Sequence, residues 1–341
     1  MKIHIMLRFI LIIGLYLSLS FFTPITVESY KTSSAKASNF VSFKELPEYF
    51  SWKDHEGQDW TTPAKDQFEF SLCGVCAIFA GIGIIESVIK IKENYTGFNP
   101  DLSEQYILSC LPNAGNCKGS CDFIMYECII NTGPEGNNCN GVVIESCFPY
   151  VGRDAEGYSN RFIESNLDPV PCSNKSDDWE NYLVPLKTWG YMKINDTDDE
   201  RDLIKQLIMD KGPIVSFFSY PMFPLKWNNN LGFFFNIIPF SFFYWGKMIH
   251  NQSSYFPASK TIFPNFGHAI AVVGWKDNSS IDNGGYWICK NSFGADWGYN
   301  GFVNLEYGIL GHKDGTDYMS NYKSWVDYDP DSYKWPFESK L

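Results

Sequence analysis

Basic side chains are scarce in this chain: 27 Lys and Arg stand against 39 Asp and Glu, a formal net charge of −12. That balance excludes the basic face a nucleic-acid binder needs, although it bears on solubility and not on fold. Long apolar runs are nearly absent too. The one present, Phe9 to Phe22, is 14 residues long, follows Lys2 and Arg8, and is broken toward its end by Ser18 and Ser20. A span needs about 20 apolar residues, so residues 1–23 read as a secretory signal, with a signal anchor as the other reading. No stable membrane insertion is expected after signal removal. Histidine is limited to His4, His55, His250, His268 and His312, and His4 goes with the signal. A second Cys-x-x-Cys at matching spacing, which a zinc site usually needs, is also missing; Cys117 with Cys121 is the only rough candidate. The acidic run "NDTDDERD" lacks the loop glycine and terminal Glu of a calcium loop and reads as a solvated helix start. No metal and no cofactor are expected.

What is plentiful points to an oxidising compartment. Ten cysteines in a chain with a secretory leader are expected to be mostly paired. The five Asn-x-Ser/Thr triplets at Asn94, Asn174, Asn195, Asn251 and Asn278 fit the same route, toward a lysosome-like compartment or the outside. Residues 24–45 are polar and aperiodic, a linker or short pro-segment with too few residues for a folded helical pro-domain. Residues 46–341 are long enough for one large domain or two lobes. Ile78, Ile82, Ile85 and Ile89 predict one face of a helix beginning at Cys76, despite Gly81 and Gly83. "PDLSEQYILSC" predicts a second helix capped by Ser103, and "DERDLIKQLIMDKG" one ending at Gly212. Strands are expected in "PIVSFFSY", "GHAIAVVGW", "GGYWICKN" and "WGYNGFVNLEYG", and disulfide-held loops over 113–180. The aromatic segment 223–245 fits poorly; a structural or artefactual reading stands ahead of a substrate-contacting flap.

The stretch "DQFEFSLCGVCAIF" carries Cys73 and Cys76. Alone, that spacing suits a redox dithiol, half a zinc site, or a disulfide cysteine beside a reactive one. A nucleophilic thiol must lose its proton, which a helix N-terminus and a histidine partner both favour. The histidine needs an orienting group, and the oxyanion needs donors. Cys76 opens a helix, and His268 starts an apolar strand between Gly267 and Ala269. Asn291 follows another strand, and Gln67 offers a side-chain amide upstream. Singly these are bland: a lone His268 is a core residue, and Asn291 or Gly119–Ser120 are turn residues. Together they suggest acyl transfer to a thiolate.

With "LSEQYILSC", "CKGS" and "YWICKNSFGADWGYNGF", the chain resembles the papain/cathepsin family of cysteine peptidases, in the family's order and over about Leu46 to Asp327. The resemblance implies an α+β, two-lobed papain-like fold, a helical lobe and a β-rich lobe with the active site in the cleft between. It implies Cys76 as nucleophile, His268 as base, Asn291 as its orienter and Gln67 as oxyanion donor. Gly119, Ser120, Ala269, Phe293, Trp297 and Phe68 would border the substrate. Disulfides are implied for Cys73 with Cys117 and Cys110 with Cys172, and two more among Cys121, Cys128, Cys139 and Cys147; Cys289 reads as a core thiol. Peptide or protein substrates, protein inhibitors of cysteine peptidases and a monomeric state follow from the same likeness. Gln67 lies nine residues before Cys76 where most members have six, an insertion resembling the cathepsin X (also called Z) branch, whose mini-loop histidine holds a substrate's C-terminal carboxylate. "CLPNAGNCKGS", "IESCFPY" and "KDGTDY" resemble that branch as well. Carboxypeptidase character is therefore the favoured subtype, with endopeptidase action as the alternative. Phe68 stands at the histidine's place, and an aromatic ring cannot ion-pair a carboxylate. Ala77, Gly267 and Phe293 replace the usual Trp, Asp and Trp, which keeps an inactive binding homologue as the competing class.

Overall fold

A computed structural model describes residues 45–111, 113–132, 140–159, 167–221, 255–256, 265–311 and 321–335. The signal, nearly all of the 24–45 segment, the 223–245 insertion, Cys139, Asn251 and "KDGTDY" lie outside the described residues.

Helix α1 (Cys76–Glu93) is the axis of the helical lobe. The isoleucine stripe predicted one buried face, yet every residue from Cys76 to Lys90 is buried. A helix apolar on all sides belongs inside a core, and here it is packed from several directions. Helix α2 (Glu104–Cys110) is capped by Ser103, whose side chain accepts from the Tyr106 N–H; helix α3 (Asp122–Glu127) crosses nearby. Gly81 permits that crossing, because a Cβ there would collide with the Met125 methyl of α3. Its lost helix propensity, about 1 kcal/mol, is exchanged for close approach. Ile78, Ile82, Ile85, Tyr106, Ile107, Met125 and Val142 share this first core.

The second lobe is built on an eight-stranded sheet. Its strands are β1 (Tyr49–Ser51), β2 (Thr188–Lys193), β3 (Ile214–Pro221), β4 (Tyr255–Phe256), β5 (Asn265–Asp277), β6 (Gly285–Lys290), β7 (Phe302–Glu306) and β8 (Tyr322–Asp327). The order is β2-β8-β3-β5-β6-β7-β4, with β1 on β5. Helix α4 (Arg201–Lys211) lays Ile204, Leu207 and Ile208 against Val272, Trp275 and Trp287 in a separate core. Two cores make two lobes.

Disulfides join Cys73 to Cys117 and Cys110 to Cys172. The two further bonds expected among Cys121, Cys128, Cys139 and Cys147 need correction, because Cys121, Cys128 and Cys147 carry thiols. Cys121 and Cys128 flank α3 at either end, which holds them about 10 Å apart, beyond the reach of a disulfide. Cys147 sits buried in a 3-10 turn, Glu145–Cys147. Helix α3 itself corrects the reading of 113–180 as loops. Cys289 is a buried core thiol in β6. Replacing both Cys110 and Cys172 by serine should lower unfolding free energy by about 2–5 kcal/mol, since their bond closes a long loop; urea midpoints of oxidised wild type and variant check this.

Candidate active site

Cys76 is the first residue of α1, and no acidic side chain lies in that first turn. The helix therefore presents its uncompensated positive end to the thiol, which favours thiolate. Two backbone anchors fix the approach. The Cys73–Cys117 bond and a hydrogen bond from Gly74 N to Cys117 O (2.8 Å) tie the preceding loop to the Gly115–Asn116/Gly119–Ser120 ribbon. That ribbon brings Gly119 and Ser120 close to the start of α1.

Strand β5 delivers the histidine from the other lobe. Its Ala269 N–H points at Cys76 Sγ, 3.5 Å away, which brings the strand that carries His268 against the thiol. Asn291 follows β6 directly. The pairing of β6 with β5 slips between Ile288 and Cys289, and a bulge of this kind re-aims the strand end. Asn291 Oδ1 then lies 2.8 Å from His268 Nε2. The same oxygen accepts from Ser292 N at 2.8 Å. A backbone N–H only donates, so that atom is the amide oxygen; the oxygen only accepts, so His268 Nε2 carries the proton. Nδ1 is left as the nitrogen without a proton.

Gln67 is buried and held on every side. Nε2 donates to Cys73 O (3.2 Å), Oε1 accepts from Ser292 Oγ (2.6 Å), its N–H reaches Ser292 O (2.9 Å), and its carbonyl accepts from Tyr150 OH (2.9 Å). A side-chain amide has two N–H donors, and this scheme uses one. Ser292 and Tyr150 were missed from sequence. Ser292 lies inside "KNSF" but only the fold shows it bonded to both Asn291 and Gln67.

Aromatic rings enclose the His–Asn pair. Phe293 lies on the His268 ring (centroids 5.0 Å, 35°), Phe218 meets it edge-on (5.6 Å), and Trp297 stands edge-on to Phe293 (5.4 Å). Phe68 from the inserted loop packs on Phe293 at 5.3 Å. The His–Asn hydrogen bond is buried, and burial strengthens such a bond.

A buried charge network lies behind the site. Glu86 of α1 meets Lys65 Nζ at 2.9 Å and Lys290 Nζ at 3.9 Å, and accepts from Thr62 Oγ1 (2.6 Å) and Leu102 N (3.0 Å). Burial alone would raise its pKa, but the two cations and the hydrogen bonds hold it below the ordinary glutamate value. Glu104 shares Lys65 (3.1 Å) yet is pushed up to about 8, chiefly by burial. Lys290, also buried, is pushed down to about 8 and donates to Thr62 Oγ1 at 2.6 Å. Lys290 immediately precedes Asn291, so the network spans from the nucleophile's helix to the orienter's strand. Among the described residues, no group of three or more His, Cys, Asp or Glu is placed to hold a metal.

The chain is similar to known proteins. A family model described as "Papain family cysteine protease" matches residues 46–223 and 240–321. The viral cathepsin of Heliothis zea nuclear polyhedrosis virus is 25% identical over 264 residues, covering 77% of this chain and 53% of that protein. Fruit bromelain of Ananas comosus is 25% identical over 269 residues, 79% of this chain and 57% of that one. The chain thus spans little more than half the length of these relatives. The solved structure of procathepsin B S9 from Trypanosoma congolense superposes with a TM-score of 0.53 at 17% identity, covering 84% of this chain and 79% of that one. At that identity the likeness concerns the two-lobed α+β fold.

Proposed function

We infer, for a chain that belongs to the papain family of cysteine proteases, that it hydrolyses peptide bonds through Cys76, His268, Asn291 and Gln67. The observation carrying this reading is the meeting of three elements: α1 brings Cys76 under the Ala269 N–H, β5 brings His268, and β6 brings Asn291. His268 Nδ1 takes the thiol proton. The thiolate attacks the peptide carbonyl carbon, and the oxyanion faces the spare Gln67 N–H and the Cys76 N–H. As the C–N bond breaks, His268 returns the proton to the leaving amine. Water, deprotonated by His268, then attacks the thioester and releases the acid and thiolate. A binding protein without catalysis is the competing class. An epoxide or fluoromethylketone probe separates them: labelling of wild type and none of Cys76→Ala is expected, whereas equal behaviour of the two would sink the enzyme reading.

The branch resemblance favours carboxypeptidase action, but one observation supports endopeptidase action. The mini-loop ring, Phe68, is packed on Phe293, and the next residue, Glu69, is exposed. An apolar ring beside a carboxylate disfavours a chain terminus of negative charge. Peptides with free and amidated C-termini should be cleaved about equally; a strong preference for the free acid restores the carboxypeptidase reading. Gly119, Ser120 and Ala269 are read as bordering the substrate, residues 1–23 as a secretory signal, and 24–45 as a short pro-segment of a monomer destined for a lysosome-like or extracellular space. Among the described residues no helix is long and apolar enough to cross a membrane.

A further inference from the structure

We propose that Asn94 is an N-linked glycan acceptor placed at the end of α1 remote from the thiol. Four of the five Asn-x-Ser/Thr triplets fall on described residues, and their surroundings differ. Asn195 is built into the fold: its Nδ2 donates to Glu200 Oε2 at 2.6 Å, and its neighbour Asp196 is buried and accepts from Trp287 Nε1, Gly308 N and Leu310 N. Asn278 is half-buried and its Oδ1 accepts from Ser280 N. Asn174 is exposed, but its third residue, Ser176, keeps a buried hydroxyl, and the Cys110–Cys172 bond closes two residues upstream.

Asn94 differs from all three. It is the C-cap of α1, in the left-handed region (φ 51°, ψ 40°), with its backbone N–H bonded to Ile91 O and Lys90 O. Its side chain is exposed and enters no hydrogen bond among the described residues. The third residue, Thr96, is bonded only at the surface, from Oγ1 to Gln58 Oε1 at 2.7 Å. Tyr95, 41% exposed and stacked on Phe98, gives a first sugar an aromatic surface. α1 has 18 residues, about 27 Å at 1.5 Å per residue, so a glycan there leaves Cys76 open. The inference rests on residues 1–23 acting as a secretory signal and is independent of catalysis.

The donor is a lipid-linked oligosaccharide diphosphate. The Asn94 amide nitrogen bonds to the anomeric carbon and loses a proton; the carbon–oxygen bond breaks, and the lipid diphosphate leaves with the electron pair. Transfer acts on the unfolded chain, so the folded surroundings decide which attached glycan the structure accommodates. The full chain, secreted from eukaryotic cells, is treated with a glycan-releasing amidase in heavy-oxygen water and mapped by mass spectrometry. Heavy-oxygen aspartate is expected at position 94 and none at position 195. Asn94→Gln and Thr96→Ala should each lose one glycan step on a gel, Thr96→Ser should restore it, and probe labelling of Cys76 should persist throughout. An unmodified Asn94 in secreted protein, or a chain held unmodified inside the cell, overturns the proposal. Loss of probe labelling in wild type would instead overturn the catalytic reading.

Discussion

His268→Ala is expected to lower kcat/KM on a peptide substrate by at least about 10⁴-fold, the loss seen when a member of a cooperating catalytic set is removed. The physical reason is that in the proposed mechanism the imidazole acts twice, as acceptor of the thiol proton and as donor to the leaving amine. Its Nε2 proton is held by Asn291 Oδ1 at 2.8 Å and Phe293 packs against the ring, so the ring is fixed in the tautomer that leaves Nδ1 basic. Asn291→Ala frees the ring without removing it and should cost less than His268→Ala. Cys76→Ala should match His268→Ala, and the double variant should fall no further, because the two act as a unit. Thermal melts must show each variant folded. Losses that simply multiply in the double variant would mean that the thiol and the imidazole work independently, contrary to the shared mechanism.

Much of this constellation was legible because the chemistry demands particular residues at strand ends and helix starts. Cys76 before an apolar helix, His268 between two small residues and Asn291 just after a strand are local features, and the fold brings them together. What stayed hidden depends on pairing across the chain. Strands β2 and β8 pair from Thr188↔Asp327 to Lys193↔Tyr322, yet "TWGYMK" runs between exposed and half-buried positions and "YKSWVD" between half-buried and buried ones, neither in clean alternation. Helix α3 was masked by the Cys and Gly around it, while the two further disulfides came from the family resemblance. Phe293 was legible as a substitution, but its contact with Phe68 was not, since an inserted loop has no periodicity to fix its direction. Glu86 was the deepest omission. On a helical pattern it reads as a surface glutamate, and only the fold shows it fully buried between two lysines from distant segments.

Glu86→Ala should therefore destabilise the protein by about 3–5 kcal/mol, the cost of leaving buried charges without their partner. Lys65 would retain Asp101 and Glu104, but Lys290 would keep only Thr62 among its close partners. Because Lys290 adjoins Asn291, activity should fall ahead of global unfolding. The pH dependence separates the two glutamates. Glu86 holds its carboxyl below the ordinary glutamate value of 4.5 when folded; its contribution is complete above that value and is lost as pH falls through the lower folded one. Glu104 behaves oppositely. Raised from 4.5 to about 8, it keeps a proton in the folded state that the unfolded chain releases, so stability declines as pH rises from about 4.5 to about 8. Together the contributions of these two groups are largest in mildly acidic solution. Urea unfolding across this range should show Glu104→Gln flattening the neutral-side decline and Glu86→Gln removing the acid-side loss. Parallel pH profiles for wild type and both variants would show that the network does not govern acid stability, and a Glu104→Gln variant that declines as steeply as wild type between pH 4.5 and about 8 would contradict the Glu104 assignment.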